Sequence, residues 1–401
     1  MSRQLLIAMI LLTVAAASGC RRVHEAVPVH PVPEEVPAPF QMTYRELDAE
    51  FHRQLPLIQA PWGRKAGRTA FGVELQLADS RRGEALLDGQ SLETSALVLD
   101  RLKTLGVRCV TLSLQYPVLT RTHPRTPEFR SFYRGLAAEI RRRGLAIVVQ
   151  MGSAFHEPEF GPIGADYHGL GREGFTAALR EMAEAVIADV RPDYLTLLSE
   201  PDTQTRNTGL AFSPAEFAAT VKHVARGLER PGIRIGAGAG TWTALDYFKA
   251  LAEIPELDYL DLHIHPIQHG FAAERAVKAA GIARSAGKAV SIGRAWLYKV
   301  WGREFGRVPP VEAFSRDAYS FWQPLDAHFI ELVANLARSI EAEFCSFFGM
   351  NYFFGYLDYT AETGRLPPGE LMKLSDRLAL ANLRAGVLSA TGEKFRETIK
   401  P

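Results

Sequence analysis

Ser199-Glu200-Pro201 ends the apolar run Tyr194-Leu195-Thr196-Leu197-Leu198 and opens a polar segment, Asp202 to Asn207. A carboxylate at the C-terminal end of a buried strand, with proline turning the chain away, is badly placed for packing. It is well placed for chemistry at the mouth of a parallel barrel. Glu200 is therefore the first candidate for proton transfer. Further on, Asp261-Leu262-His263-Ile264-His265 alternates ionisable with aliphatic residues, so in a strand Asp261, His263 and His265 share one face. A His-x-His pair is also a metal-ligand pattern, which makes a metal-dependent hydrolase using these three residues one reading. No spacing compels further ligands from His156 or His269. Glu74 is a charge within an otherwise apolar run, and burying it requires a partner, such as Arg294, or a role in a site.

The elements that must position these residues alternate in type. Strand-like runs fall at 70–77, 108–114, 146–151, 194–198, 233–237, 259–264, 289–292 and 344–354. Helical spacing lies between them, as in 92–105, where Leu92, Ala96, Leu99 and Leu102 share a face. Similar patterns cover 129–143, 175–190, 214–228, 271–286 and 329–340, with a shorter helix at 242–251 and a last one at 369–385. Eight strands, each followed by a helix, is the count of a single-domain (β/α)8 TIM barrel, an α/β fold. A doubly wound open sheet would carry a glycine-rich phosphate loop after its first strand, and Gly72 to Leu77 has none.

Between the seventh and eighth strands, 296–324 greatly exceeds the roughly 2–6 residues of a usual strand-to-helix loop. It carries Trp296, Tyr298, Trp301, Phe305, Phe314, Tyr319, Phe321 and Trp322. Such aromatics either stack on sugar rings as a binding wall or form a local core under the loop. Trp242 and Trp296 directly follow strands and are the best-placed platforms. Tyr116, His156 and Tyr352 are further candidates for the same face.

On these residues the chain resembles clan A of the glycoside hydrolases, retaining enzymes on a (β/α)8 barrel, over roughly residues 72–359. Members carry Asn-Glu-Pro after strand four, its glutamate the general acid/base, and a second, nucleophilic glutamate after strand seven. Ser199-Glu200-Pro201 matches the first motif with serine in place of asparagine. The seventh-strand segment, Lys288 to Trp296, has the family's shape but sets Arg294 where the nucleophile is expected. His263 and His265 match the sixth-strand positions that orient the nucleophile or touch the sugar. Retention requires two carboxyl groups about 5 Å apart. An arginine stays protonated, cannot attack an anomeric carbon and favours the ionised form of Glu200.

Three explanations follow. Another carboxylate serves: Glu74, Asp261, Glu304, Asp317 or Asp358. Or the barrel binds carbohydrate without cleaving it, with Ser199, His263, His265 and Arg294 among the contacts. Or the motif lies several residues away. The resemblance implies a carbohydrate ligand. No metal or other cofactor is expected.

Basic and acidic residues nearly cancel, at a net charge of +1, which gives no support to nucleic-acid binding. Residues 1–19 read as a signal peptide with Arg3, an apolar core too short to span a bilayer, and Ala17-Ser18-Gly19-Cys20. The ending resembles the lipobox of bacterial lipoproteins, which implies lipidation at Cys20 and an exported, membrane-anchored protein. Residues 20–62 form a proline-rich tether and an N-terminal helix, and 63–401 the barrel. Cys109 and Cys345 fall in different strands and read as buried thiols.

Overall fold

The computed structural model describes residues 31–62 and 69–400, apart from 164, 166 and 168. The expected signal peptide and Cys20 lie outside these residues. Eight parallel strands close into one barrel in sequence order. They are β1 (Ala70–Glu74), β2 (Cys109–Tyr116), β3 (Ala146–Ser153), β4 (Tyr194–Thr196), β5 (Arg234–Gly240), β6 (Tyr259–Ile264), β7 (Ala289–Ala295) and β8 (Phe344–Phe347). Closure runs through β8 against β1, with Phe71 opposite Cys345. The helices, in chain order, begin with α1 (Gln41–Trp62), α2 (Ser91–Thr104), α3 (Thr126–Arg142), α4 (Gly171–Asp189), α5 (Pro201–Thr208) and α6 (Pro214–Ala225). They continue with α7 (Asp246–Ala252), α8 (Val277–Ser285), α9 (Pro310–Ser315), α10 (Gln323–Ser339), α11 (Pro368–Ala385) and α12 (Ala390–Thr398). None of the described helices is long and apolar enough to cross a membrane.

The (β/α)8 barrel expected from the alternation is the observed fold. Three local differences bear on the mouth. The polar run after Glu200 is a helix, α5, begun by Pro201, whose fixed φ suits the first helical turn. Strand eight stops at Phe347, because Gly349 takes a left-handed conformation and a 3-10 turn, Met350–Phe353, follows. Tyr352 therefore lies on that turn and not on a strand. The third difference is a bulge. Register between β6 and β7 runs Leu262 with Ile292, then His263 with Arg294, so Gly293 has no partner. A Cβ on Gly293 would stand 2.2 Å from Asp261 Oδ2 and 2.3 Å from Gln150 Nε2. Gly293 thus already points into the barrel, and strict alternation would send Arg294 outward to the helices. The extra residue re-aims Arg294 inward.

The insertion between β7 and α10 divides in two. Its first half, with Trp296, Tyr298 and Phe305, overlooks the barrel mouth. Its second half packs Tyr319, Phe321 and Trp322 against Phe40 and Tyr44 of the N-terminal segment, with ring centroids 5.3–6.3 Å apart.

Candidate active site

Glu200 sits where β4 hands over to α5, with φ 51° and ψ 71°. A non-glycine residue in this left-handed region costs of order 1 kcal/mol and persists only when its surroundings hold it. Those surroundings are specific. One carboxylate oxygen lies 2.6 Å from His263 Nδ1, and the other accepts a 2.8 Å hydrogen bond from Thr203 Oγ1. Arg294 Nη1 stands 3.8 Å from the first oxygen. Arg294 also reaches Glu74 on β1, with Nη2 at 3.0 Å and Nε at 3.2 Å, and donates to Ser113 Oγ at 3.2 Å. The buried charge of Glu74 thus has Arg294 as its partner.

Beneath these groups, Asp261 accepts hydrogen bonds from Thr196 Oγ1 at 2.8 Å and Gln150 Nε2 at 3.2 Å, and lies 3.6 Å from His263 Nε2. Burial works against charge on His263, but its hydrogen bonds to Asp261 and Glu200 raise it to about 9. Burial likewise opposes charge on Glu200, yet the His263 hydrogen bond and the charges of His263 and Arg294 hold it well below the usual carboxylate range. The pair is therefore an imidazolium bonded to a carboxylate. Burial pushes His265 the other way, down to about 3, leaving a neutral ring. That ring is stacked between Trp242, at 4.4 Å, and Tyr298, at 5.4 Å.

Above lies a cavity of ≈ 330 Å³. Glu200, His265, Arg294, Trp242 and Trp296 line it, while Glu74, Asp261 and His263 form the layer below. Ser199 is buried, and its carbonyl accepts a bond from Gln204. Four candidates lie elsewhere. Glu304 accepts from Thr43 Oγ1 at 2.6 Å and pairs with Arg316 at 3.0 Å, tying the loop to α1. Tyr116 packs on Tyr167 and Phe175. His156 bonds the Asn207 carbonyl. Tyr352 donates to the Phe348 carbonyl at 2.6 Å. Asp317 is taken by Lys299, Asp358 accepts from Ser320, and His269 bonds Glu50.

Asp261 and His263 are engaged by Thr196, Gln150 and Glu200 and face each other, so they are not left free to hold a metal together with His265. Among the described residues no group of three or more His, Cys, Asp or Glu is placed to hold a metal ion.

Asp202, Thr203 and Arg206 on α5, and Arg307 in the loop, also line the cavity and were not singled out from sequence. Asp202 accepts from Trp242 Nε1 at 2.7 Å, which fixes the indole over the mouth. Desolvation at the cavity wall and the charge of Glu200 push Asp202 upward, although the residue stays exposed, which keeps the shift modest. The available signal was Pro201, whose helix-starting geometry places Asp202 and Thr203 on the first turn beside Glu200.

No protein-family model matches this chain, and no curated protein matches it. Among solved structures, GH5_18 from Bifidobacterium longum subsp. longum, in complex with Manb1-4GlcNAc, is similar at 15% identity and a TM-score of 0.51, over 82% of this chain and 77% of that one. The exo-beta-1,4-mannosidase Op5Man5 from Opitutaceae bacterium strain TAV5 is similar at 14% identity and a TM-score of 0.53, over 82% of this chain and 59% of that one. At these identities the likeness is one of fold: the chain shares the barrel architecture of these two proteins.

Proposed function

We propose that this protein binds a carbohydrate in the mouth cavity, with Glu200 as an ionised acceptor for sugar hydroxyls and not as a general acid. The observation that carries this reading is Arg294, set between Glu74 and Glu200 at 3.0 and 3.8 Å. A retaining glycosidase needs one protonated carboxyl and one exposed carboxylate about 5 Å from it. Here Glu200 is held as an anion and Glu74 is covered by a guanidinium. A fixed anion beside fixed donors is a hydroxyl-binding arrangement, and Trp242, Tyr298 and Phe305 around it offer apolar faces for sugar rings. The fold shared with a protein solved with Manb1-4GlcNAc supports the same ligand class.

Titration calorimetry with neutral and acidic oligosaccharides, run beside a hydrolysis panel of aryl glycosides and polysaccharides, tests this. Binding without turnover is expected, with affinity reduced in Glu200→Gln because an ionised acceptor is lost. Turnover that Glu200→Gln abolishes while binding persists would overturn it.

A second reading is single-displacement hydrolysis, for which the observation is that two carboxylates, Asp202 and Glu200, line the same cavity. That reading requires turnover that Asp202→Asn abolishes. We also propose display at a membrane through lipidated Cys20; radiolabelled palmitate should enter the wild type and not Cys20→Ser.

A further inference from the structure

A second cavity of ≈ 560 Å³ adjoins the mouth. Phe314 and Phe348 line both, so the two spaces lie on either side of a shared aromatic ridge. In the walls of the second cavity most carboxylates are already engaged. Asp79 pairs with Arg81 at 2.7 Å, Asp317 with Lys299, and Asp376 accepts from Asn351; Glu159 alone has no such partner among the described residues. At the mouth, Glu200 is taken by His263 and Thr203, and Asp202 by Trp242.

The cations differ. Arg206 and Arg307 face the mouth, exposed, and neither has a carboxylate within ion-pair distance among the described residues. Arg206 is steadied over the Phe155 ring, 4.9 Å from its centroid, and donates to the Asn207 amide oxygen at 3.3–3.4 Å. Lys373 and Arg377, one turn apart on α11, face the second cavity and are likewise unpaired there. With Arg82 in the wall of the second cavity, a chain with a net charge of only +1 thus gathers five cations that have no ion pair among the described residues around two adjoining cavities.

We infer that the ligand is an anionic oligosaccharide. It runs from the mouth across the Phe314–Phe348 ridge, its acidic groups meeting Arg206 and Arg307 on one side and Lys373 and Arg377 on the other. This rests on the carbohydrate reading above and narrows it to a ligand class. Guanidinium groups without internal partners keep their donors for carboxylates or sulfates. Phe314, half-buried at the divide with Phe348 buried behind it, offers an apolar face to a ring between two charged units.

The test compares an oligogalacturonate hexamer, a sulfated oligosaccharide of the same length and a neutral mannohexaose by calorimetry on the mature chain. The two acidic arms separate carboxylate from sulfate recognition. Acidic ligands should bind at least about tenfold more tightly than neutral, with the advantage shrinking as salt rises. Arg206→Gln with Arg307→Gln should bring the acid-over-neutral ratio of dimers close to one and lower that of hexamers. Lys373→Gln with Arg377→Gln should weaken the acidic hexamer but not an acidic dimer, which fills the mouth alone. Equal affinity for acidic and neutral hexamers overturns the inference and leaves the carbohydrate reading standing. Failure of every glycan to bind overturns both, and tighter binding of a single-stranded oligonucleotide overturns the inference in favour of a nucleic-acid groove.

Discussion

Two buried ion networks sit within one loop of each other, and they are built to opposite standards. Under the insertion, Lys299 is fully buried and lies 3.0 Å from Asp326 and beside Asp317. Each carboxylate has a second donor: Trp296 Nε1 at 2.7 Å for Asp317 and Tyr356 OH at 2.8 Å for Asp326. At the mouth, Glu74, Glu200 and Asp261 meet Arg294 and His263, but several buried atoms have no partner. These include Glu74 Oε1, Asp261 Oδ1, Gln150 Oε1, Ser291 Oγ and His265 Nε2. Leaving a buried polar group unmatched costs about 1–3 kcal/mol, so a network kept only for stability would be expected to resemble the first. The first pins the loop. The second keeps unused hydrogen-bonding capacity beneath a cavity, which is the mark of a site.

Removing one partner from each network separates these roles. Lys299→Met leaves two buried carboxylates uncompensated and should cost about 3–5 kcal/mol in urea denaturation. A cost under about 1 kcal/mol would show that the loop is not pinned there.

At the mouth the effect appears as pH dependence. His263 is raised from an ordinary 6.5 to about 9, so its contribution is complete below pH 6.5 and disappears as pH climbs to about 9. Glu200 is depressed, so its contribution is present above its ordinary 4.5 and is lost as pH falls further. In the loop network, burial raises Asp326 from 3.8 to about 6, so stability there falls as pH rises through that interval. The alkaline loss of up to about 3 kcal/mol should vanish in His263→Gln. The change between pH 4.5 and 6 should vanish in Asp326→Asn instead. If both variants altered the same interval, the two networks would be coupled and not distinct.

Trp242→Ala should weaken glycan binding by about 1–2 kcal/mol with little change in the denaturation midpoint. Glu304→Gln, which removes one charge from the Thr43–Arg316 tie, should cost about 1 kcal/mol in stability and leave ligand affinity unchanged. Loss of binding in Glu304→Gln would return that residue to the site.

The contrast also marks what could be read from the sequence. Alternating periodicities give the barrel and the order of its strands, because burial on both faces of a parallel strand leaves an apolar run. Glu200, Asp261, His263 and His265 fall on the inner side of their strands for the same reason. Arg294 was assigned to the mouth by motif position, whereas strand alternation alone would have sent it to the helices. The bulge that turns it inward falls at Gly293, where the Asp261 carboxylate leaves no room for a Cβ, a tertiary fact. Glu304 looked able to reach the mouth because loops are long and its partner on α1, Thr43, is 261 residues away in sequence. Asp202 and Arg206 were read as a polar segment because α5 is short and polar on every side, with no periodicity to disclose a face.

The central claim is that Glu200 is held as an anion. Carbon-13 NMR of the glutamate carboxyls, with the Glu200 signal assigned by its absence in Glu200→Gln, measures this directly. Glu200 should stay ionised down to the lowest pH at which the protein remains folded, and Arg294→Met should raise its titration. A Glu200 signal that titrates above pH 5 in the wild type would contradict the account and restore a general acid to the barrel mouth.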